Sequence, residues 1–155
     1  MRLTDYTDYT LRALMYLGLN RDRLVTIRDI ADVYGVSKNH LMKVVHQLGL
    51  AGLVETVRGR SGGLRLAKEP EEINLGLVVR GTEPDFVMVE CFNRDSNECI
   101  LSPACELQDI LRQATTAYLD VLSRYTLADL LKNSNHLRKL TTVEFHLPIK
   151  TKAIA

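Results

Sequence analysis

The sequence predicts a mainly α protein with a small β-wing: a winged helix-turn-helix followed by a long dimerisation helix. Three stretches carry that expectation. Thr26 to Leu48 reads as two short helices joined by a glycine turn. Behind it, two short apolar runs flank Arg58-Gly59-Arg60-Ser61-Gly62-Gly63, the pattern of a hairpin. From Pro103 to about Arg124, apolar residues recur in steps of three and four. The expected division is 1–80 for the winged helix-turn-helix and 81–105 for a cysteine-rich loop. Residues 103–132 form the dimerisation helix and a short following helix, and 133–155 a tail, polar or mixed and expected to be mobile.

Taken in order, Thr4 suits the N-cap of a first helix, with Tyr6, Thr10, Ala13, Leu14 and Leu17 on one face. Gly18 to Arg23 reads as a turn. Thr26-Ile27-Arg28-Asp29 is a capping box, and Ile27, Ile30, Ala31 and Tyr34 continue one apolar face. Gly35 breaks that helix and Ser37 caps the next, whose buried stripe is Leu41, Val44, Val45 and Leu48. Leu53–Val57 and Leu64–Leu66 read as the strands of a wing. Leu75, Val78 and Val79 suggest a short helix ending at Gly81. In the long helix, Ala104, Leu107, Leu111, Ala114, Tyr118, Val121 and Tyr125 make a heptad seam. Roughly twenty-two residues give about 33 Å of helix, more than one small domain covers easily, so the seam is expected to pair two chains. Thr126-Leu127-Ala128-Asp129 starts another capped helix, and His136 and His146 lie in the tail.

Composition narrows the function classes. Of 155 residues, 46% are hydrophobic and 25% charged, ordinary for a soluble globular chain. No run approaches the roughly twenty apolar residues of a membrane span. The start, Met-Arg-Leu-Thr-Asp, has no apolar signal core, so a cytoplasmic location with reduced cysteines is expected. Charge is unevenly spread. Residues 1–70 hold eleven Lys/Arg against seven Asp/Glu, a balance of +4, and residues 71–155 hold nine against twelve, a balance of −3. The basic half suits a polyanion. There is no phosphate-binding glycine loop, His-Glu-x-x-His motif or nucleophile elbow, so nothing points to an enzyme.

All three cysteines lie in one stretch, Cys91, Cys99 and Cys105, with seven and five residues between them. Three thiols without a fourth make no disulfide set and suit three ligands of one metal centre. Seven carboxylates and the single Arg94 lie between Gly81 and Asp109, a region that a bound cation or cluster would calm. Ser102 is a good N-cap with Pro103 at the first helical position, which places Cys105 third in the helix, where backbone N–H groups favour a thiolate. Three thiolates plus a carboxylate or histidine also suit zinc. A metal-free thiol switch acting through Cys105 is a third reading.

For DNA, the second helix of the motif is expected in the major groove. Ser37, Lys38, Asn39, His40 and Lys43 lie at its start or on its open side, with Asn39 or His40 near base edges and the lysines at phosphates. Arg58 and Arg60 are expected in the adjacent minor groove. A paired seam implies a near-palindromic operator with half-sites about one helical turn apart, or a multiple of that.

The chain resembles the winged-helix iron–sulfur regulators, and among them the nitric-oxide-sensitive repressors. The residues that carry this are Leu3 to Tyr9 with Leu11 to Leu14, Val33 to His40, Val57-Arg58-Gly59 with Gly62 to Leu66, the three cysteines with Pro103-Ala104, and Tyr125 to Leu130. The resemblance covers about residues 1–132. It implies a homodimer with one iron–sulfur cluster per subunit, 4Fe–4S or, after oxygen damage, 2Fe–2S. Cys91, Cys99 and Cys105 would be ligands, and Asp8 from the first helix of the other subunit would be the fourth. Nitric oxide would be the signal that ends repression. The related cluster-assembly regulators have a histidine three residues after the last cysteine. Here that position is Gln108, which argues against that branch. At Leu77 this sequence departs from an acidic residue usual in the family. Read without the resemblance, Asp8 is a surface charge or a partner of Arg12.

Overall fold

The computed structural model describes residues 2–142. Helix α1 (Asp5–Leu19) starts where Thr4 Oγ1 accepts from the Thr7 backbone N–H, and it runs on through Gly18 before turning at Asn20. The expected turn therefore begins two residues late. Gly18 is tolerated because it lies under Leu131, against which a Cβ would press. Helix α2 (Ile27–Tyr34) has both bonds of the Thr26–Asp29 capping box and ends at Gly35. Gly35 takes φ +63, a left-handed turn that costs an L-residue about 1 kcal/mol. Helix α3 (Lys38–Leu50) follows, with Leu41, Val44, Val45 and Leu48 buried against α1 and α2.

The wing is β1 (Val54–Val57) paired antiparallel with β2 (Gly63–Leu66), Val54 opposite Leu66 and Val57 opposite Gly63. It does not hang free. Val25 and Leu64 exchange both backbone bonds, at 3.0 and 2.7 Å, so the α1–α2 connection adds a rung to the hairpin. The core gathers Leu14, Leu17, Val25, Ile30, Leu41, Val44, Leu64, Ile73 and Leu127. Each fully buried aliphatic side chain contributes about 1.5–3 kcal/mol.

Helix α4 (Leu75–Thr82) and the long helix α5 (Glu106–Ser123) make the second half. Short α6 (Leu127–Leu130) and α7 (Ser134–Thr142) follow, so a helix occupies part of the expected tail, with Arg138 Nε donating to Leu19 O at 2.8 Å. The tail beyond Thr142, with His146, lies outside the described residues. The C-terminal end of α5 is stitched to the start of α4. Leu75 N–H donates to Tyr125 O at 3.0 Å, Leu127 N–H to Ile73 O at 2.8 Å, and the Asn74 amide to Ser123 O at 2.7 Å. The helices meet at Gly76, where an added Cβ would run into Ser123 Oγ and come within 2.8 Å of the Ser123 backbone.

Two details of α5 differ from the sequence reading. Ser102–Ala104 forms a separate 3-10 turn, and α5 starts at Glu106 with Cys105 as its N-cap rather than its third residue. Pro103 satisfies the tighter turn as well as it would an α-helix. Eighteen residues give about 27 Å of helix. The apolar stripe that α5 leaves outside is Leu107, Ile110, Ala114, Ala117 and Val121. Leu111 and Tyr118 of the expected seam are half-buried instead, on the side of buried Thr115 and Leu119. Leu107 and Ile110 are 59% and 58% exposed, so the outward stripe is substantial.

The close approach at Gly76 is testable. Gly76→Ala is expected to lower stability by about 1–3 kcal/mol in urea unfolding, because the added methyl meets backbone. Gly81→Ala in the same helix, where nothing lies within 4 Å of the new Cβ, should be neutral or slightly stabilising.

Candidate functional site

Two surfaces carry the chemistry. The first is the open side of α3 with the wing tip. Ser37, Lys38, Asn39, His40 and Lys43 are all exposed, while the stripe behind them is buried. At the wing tip Arg58 and Arg60 are exposed, and Gly59 between them takes φ +119, a conformation that L-residues rarely adopt. Among the described residues none of Lys38, Lys43, Arg58 and Arg60 makes an ion pair, whereas Arg12, Arg21, Arg23 and Arg65 each do. The outward cations of α3 and the wing are therefore available to an anionic partner. The Tyr9 ring of α1 stacks on His40, centroids 6.3 Å apart and planes at 21°. This contact fixes His40 against the first helix and was not visible in the sequence.

The capping box under this face is charged. Burial pushes the Asp29 carboxyl up, but bonds from the Thr26 backbone and hydroxyl and from Arg23 outweigh it and hold Asp29 below the usual carboxylate range. A depressed carboxylate stabilises the fold above its unfolded value near 4 and loses that contribution as pH falls through the folded value. At neutral pH the start of α2 is thus held at full strength.

The second surface is the cysteine loop. Cys91, Cys99 and Cys105 are free and half-buried. Each is tied in place through its backbone, Cys105 O by accepting from the Gln108 backbone N–H at 3.3 Å. The Gln108 amide donates to Cys91 O at 2.6 Å, Asn97 Oδ1 accepts from Cys99 N–H at 3.1 Å, and Ser102 N–H donates to Cys99 O at 3.2 Å. Gln108 lies one turn into α5, so it joins the first cysteine to the helix that begins after the third. Further along, Arg112 lies 4.7 Å over the Phe92 ring, and Thr115 Oγ1 lies 3.0 Å from Met88 Sδ. One face of α5, at positions 108, 112 and 115, thereby holds Cys91, Phe92 and Met88 in turn.

Among the described residues no three His, Cys, Asp or Glu side chains of the single chain converge on one point. The donor set is three thiols on a loop anchored at both ends, with carboxylates around it. Soft thiolate donors of this kind fit an iron–sulfur centre and also zinc. Asp8 sits elsewhere, on α1, paired with Arg12 through both oxygens: Nη2 to Oδ2 at 2.8 Å and Nε to Oδ1 at 3.0 Å. Both partners are more than a third exposed, so the pair is worth at most about 1 kcal/mol and exchanges cheaply. Within one chain, Asp8 and the cysteines are not brought together. Among the described residues, no helix is long and apolar enough to cross a membrane.

Comparison with known proteins gives these surfaces a context. Residues 3–133 match the Rrf2 profile, described as an iron-dependent transcriptional regulator. The chain belongs to the Rrf2 family. It is 59% identical over 141 residues to the HTH-type transcriptional regulator NsrR of Bacillus licheniformis, an alignment covering 90% of this chain and 99% of that one. It is 54% identical over the same length to NsrR of Bacillus subtilis, covering 90% and 97%. The solved structure described as T. potens IscR superposes with a TM-score of 0.70 at 25% identity, over 89% of this chain and 91% of that one. The resemblance seen in the sequence is thus upheld, and with it the winged-helix fold of a transcriptional regulator.

Gln108 was visible in the sequence only as a departure from a histidine; its bond to Cys91 O emerges from the fold. A net hydrogen bond of about 1 kcal/mol corresponds to roughly fivefold in a local opening equilibrium. Gln108→Ala should therefore raise the alkylation rate of Cys91 in reduced, metal-free protein about fivefold, with Cys99 little changed, read by mass spectrometry after timed iodoacetamide. Equal Cys91 rates in both proteins would show that the amide does not hold the loop.

Proposed function

We propose that the protein is a cytoplasmic homodimeric repressor that binds near-palindromic operator DNA while each subunit carries an iron–sulfur cluster, and releases it when nitric oxide destroys that cluster. The observation that carries this reading is the loop of three anchored thiols leading directly into a helix with an exposed apolar stripe, behind an open basic recognition face. The names of the relatives support the same direction.

In this reading Cys91, Cys99 and Cys105 hold the cluster, with 4Fe–4S favoured and 2Fe–2S arising after oxygen exposure. The cluster, when bound, supplies the iron that reacts with nitric oxide. The chain's own residues do the rest. Gln108, Arg112 and Thr115 hold the loop on α5, so cysteine positions are transmitted to that helix. The stripe from Leu107 through Ile110 to Val121 faces a second copy, and pairing removes its apolar surface from water. Asp8 of each chain supplies a carboxylate to the other chain's loop, exchanging its weak pair with Arg12 for a ligand role. A carboxylate is a harder donor than thiolate and makes the weakest bond of the four. Two α3 helices, spaced by the dimer, enter successive major grooves. Asn39 and His40 lie near base edges, Ser37, Lys38 and Lys43 meet the backbone, and Arg58 and Arg60 reach the minor groove.

The test is an anaerobic absorbance spectrum of the purified protein with iron and sulfide counts, before and after nitric oxide. Broad visible charge-transfer bands, about four irons and four sulfides per chain, and bleaching by nitric oxide are expected. A colourless protein holding one zinc per chain would replace this reading with the zinc-stabilised one.

A further inference from the structure

A carboxylate stands where helix electrostatics disfavour it. Glu83 is the C-cap of α4, the negative end of that helix. Its side chain explains the placement. Glu83 Oε1 accepts from both the backbone N–H of Thr4, at 2.8 Å, and the Thr4 hydroxyl, at 3.0 Å. Thr4 is the N-cap of α1, where a negative charge is favourable. Next to it Thr7, fully buried, donates through Oγ1 to Thr82 Oγ1 at 2.9 Å, and Thr82 donates on to Val78 O at 2.9 Å. The last turn of α4 is thereby stitched to the first turn of α1.

Both ends of this stitch lead to the site. Asp8 N–H donates to Thr4 O at 3.0 Å, so Asp8 rides on the turn that Glu83 holds. On the other side, only seven residues separate Glu83 from Cys91. Part of that connection, Pro84 to Met88, shares a cavity with Thr4 and with Tyr118 of α5. One chain's cysteine loop and its own Asp8 therefore meet at the Thr4–Glu83 contact, although they do not touch each other.

We propose that Glu83 is a positioning residue that couples the two cluster sites of the dimer: through Thr4 it joins each chain's cysteine loop to the Asp8 that reaches the other chain's loop. This rests on the proposed function, in which Asp8 serves the second copy. A loop that relaxes after losing its cluster pulls on Glu83, shifts the first turn of α1, and withdraws Asp8 from the remaining site. The two clusters are then lost together, and half-loaded dimers are scarce.

Native mass spectrometry of the holo-protein during stepwise anaerobic nitric oxide addition counts cluster-loaded, half-loaded and empty dimers. In wild type, half-loaded dimers are expected at no more than about half their binomial share. Glu83→Ala should restore the binomial share, and Glu83→Gln, which keeps an acceptor for Thr4, should stay closer to wild type. A second readout needs no cluster. In metal-free protein, amide exchange at Thr7 and Asp8 should be several-fold faster in Glu83→Ala than in wild type, with Glu83→Gln between them. A binomial wild-type distribution over cluster-bearing dimers, or unchanged exchange in Glu83→Ala, overturns the coupling and leaves the proposed function standing. A cluster-free chain or a monomer mass overturns both.

Discussion

The crossing of α4 on α5 at Gly76 is the constraint on which the rest of the architecture depends. No side chain fits between the Gly76 Cα and the Ser123 backbone, so the two helices approach to backbone contact. Paired backbone bonds between Ile73 or Leu75 and Leu127 or Tyr125 lock the crossing at its end. Once α5 is fixed there, its opposite end is fixed too, because a helix of this length is stiff on the scale of a domain. That end carries Gln108 and Cys105. The position of the cysteine loop relative to the winged domain therefore follows from a contact about 25 Å away, and a shift of the loop has a rigid lever through which to act.

The DNA-facing side follows from a different balance. The chain has nearly equal numbers of positive and negative residues, so bulk charge does not select a polyanion. Placement matters more: Arg12, Arg21, Arg23 and Arg65 are paired with Asp8, Glu69, Asp29 and Glu55, whereas Lys38 and Lys43 on α3 and Arg58 and Arg60 at the wing tip make no ion pair among the described residues. Exposed cations without ion pairs on α3 and the wing tip steer an anionic partner towards them. Tyr9 adds position to charge: its stack holds His40, and it neighbours Asp8 in α1. The helix that carries the fourth proposed ligand thus also touches the recognition helix.

Much of this was legible in the sequence where the signal is local. The Thr26–Asp29 box, the left-handed Gly35 and the wing glycines each encode a turn through a single residue's conformational limits, and the helix-turn-helix and wing formed as expected. The start of α5 misled because Ser102-Pro103 satisfies a 3-10 turn and an α-helical N-terminus equally, and the choice falls to the loop's own bonds. The outward stripe was rotated for a similar reason. Leu107–Leu111–Ala114–Tyr118 and Leu107–Ile110–Ala114–Ala117 both keep heptad spacing, and which one faces out is decided by the packing of Thr115 and Leu119 against the chain's own domain. Glu83, Gln108 and Tyr9 were silent because their partners lie 79, 17 and 31 positions away. Sequence periodicity carries no information about contacts of that kind.

In the proposed function the state of the cysteine loop sets the hold on DNA. The most direct measurement is the operator affinity of one preparation in two states, cluster-loaded and chelator-stripped, by fluorescence anisotropy under anaerobic conditions at fixed salt. The duplex should be one that the loaded protein selects from a random pool. The loaded form should bind at least about tenfold more tightly, a difference of about 1.4 kcal/mol. Equal dissociation constants for the two forms would contradict the account, because a group that does not distinguish two conformations cannot shift their populations.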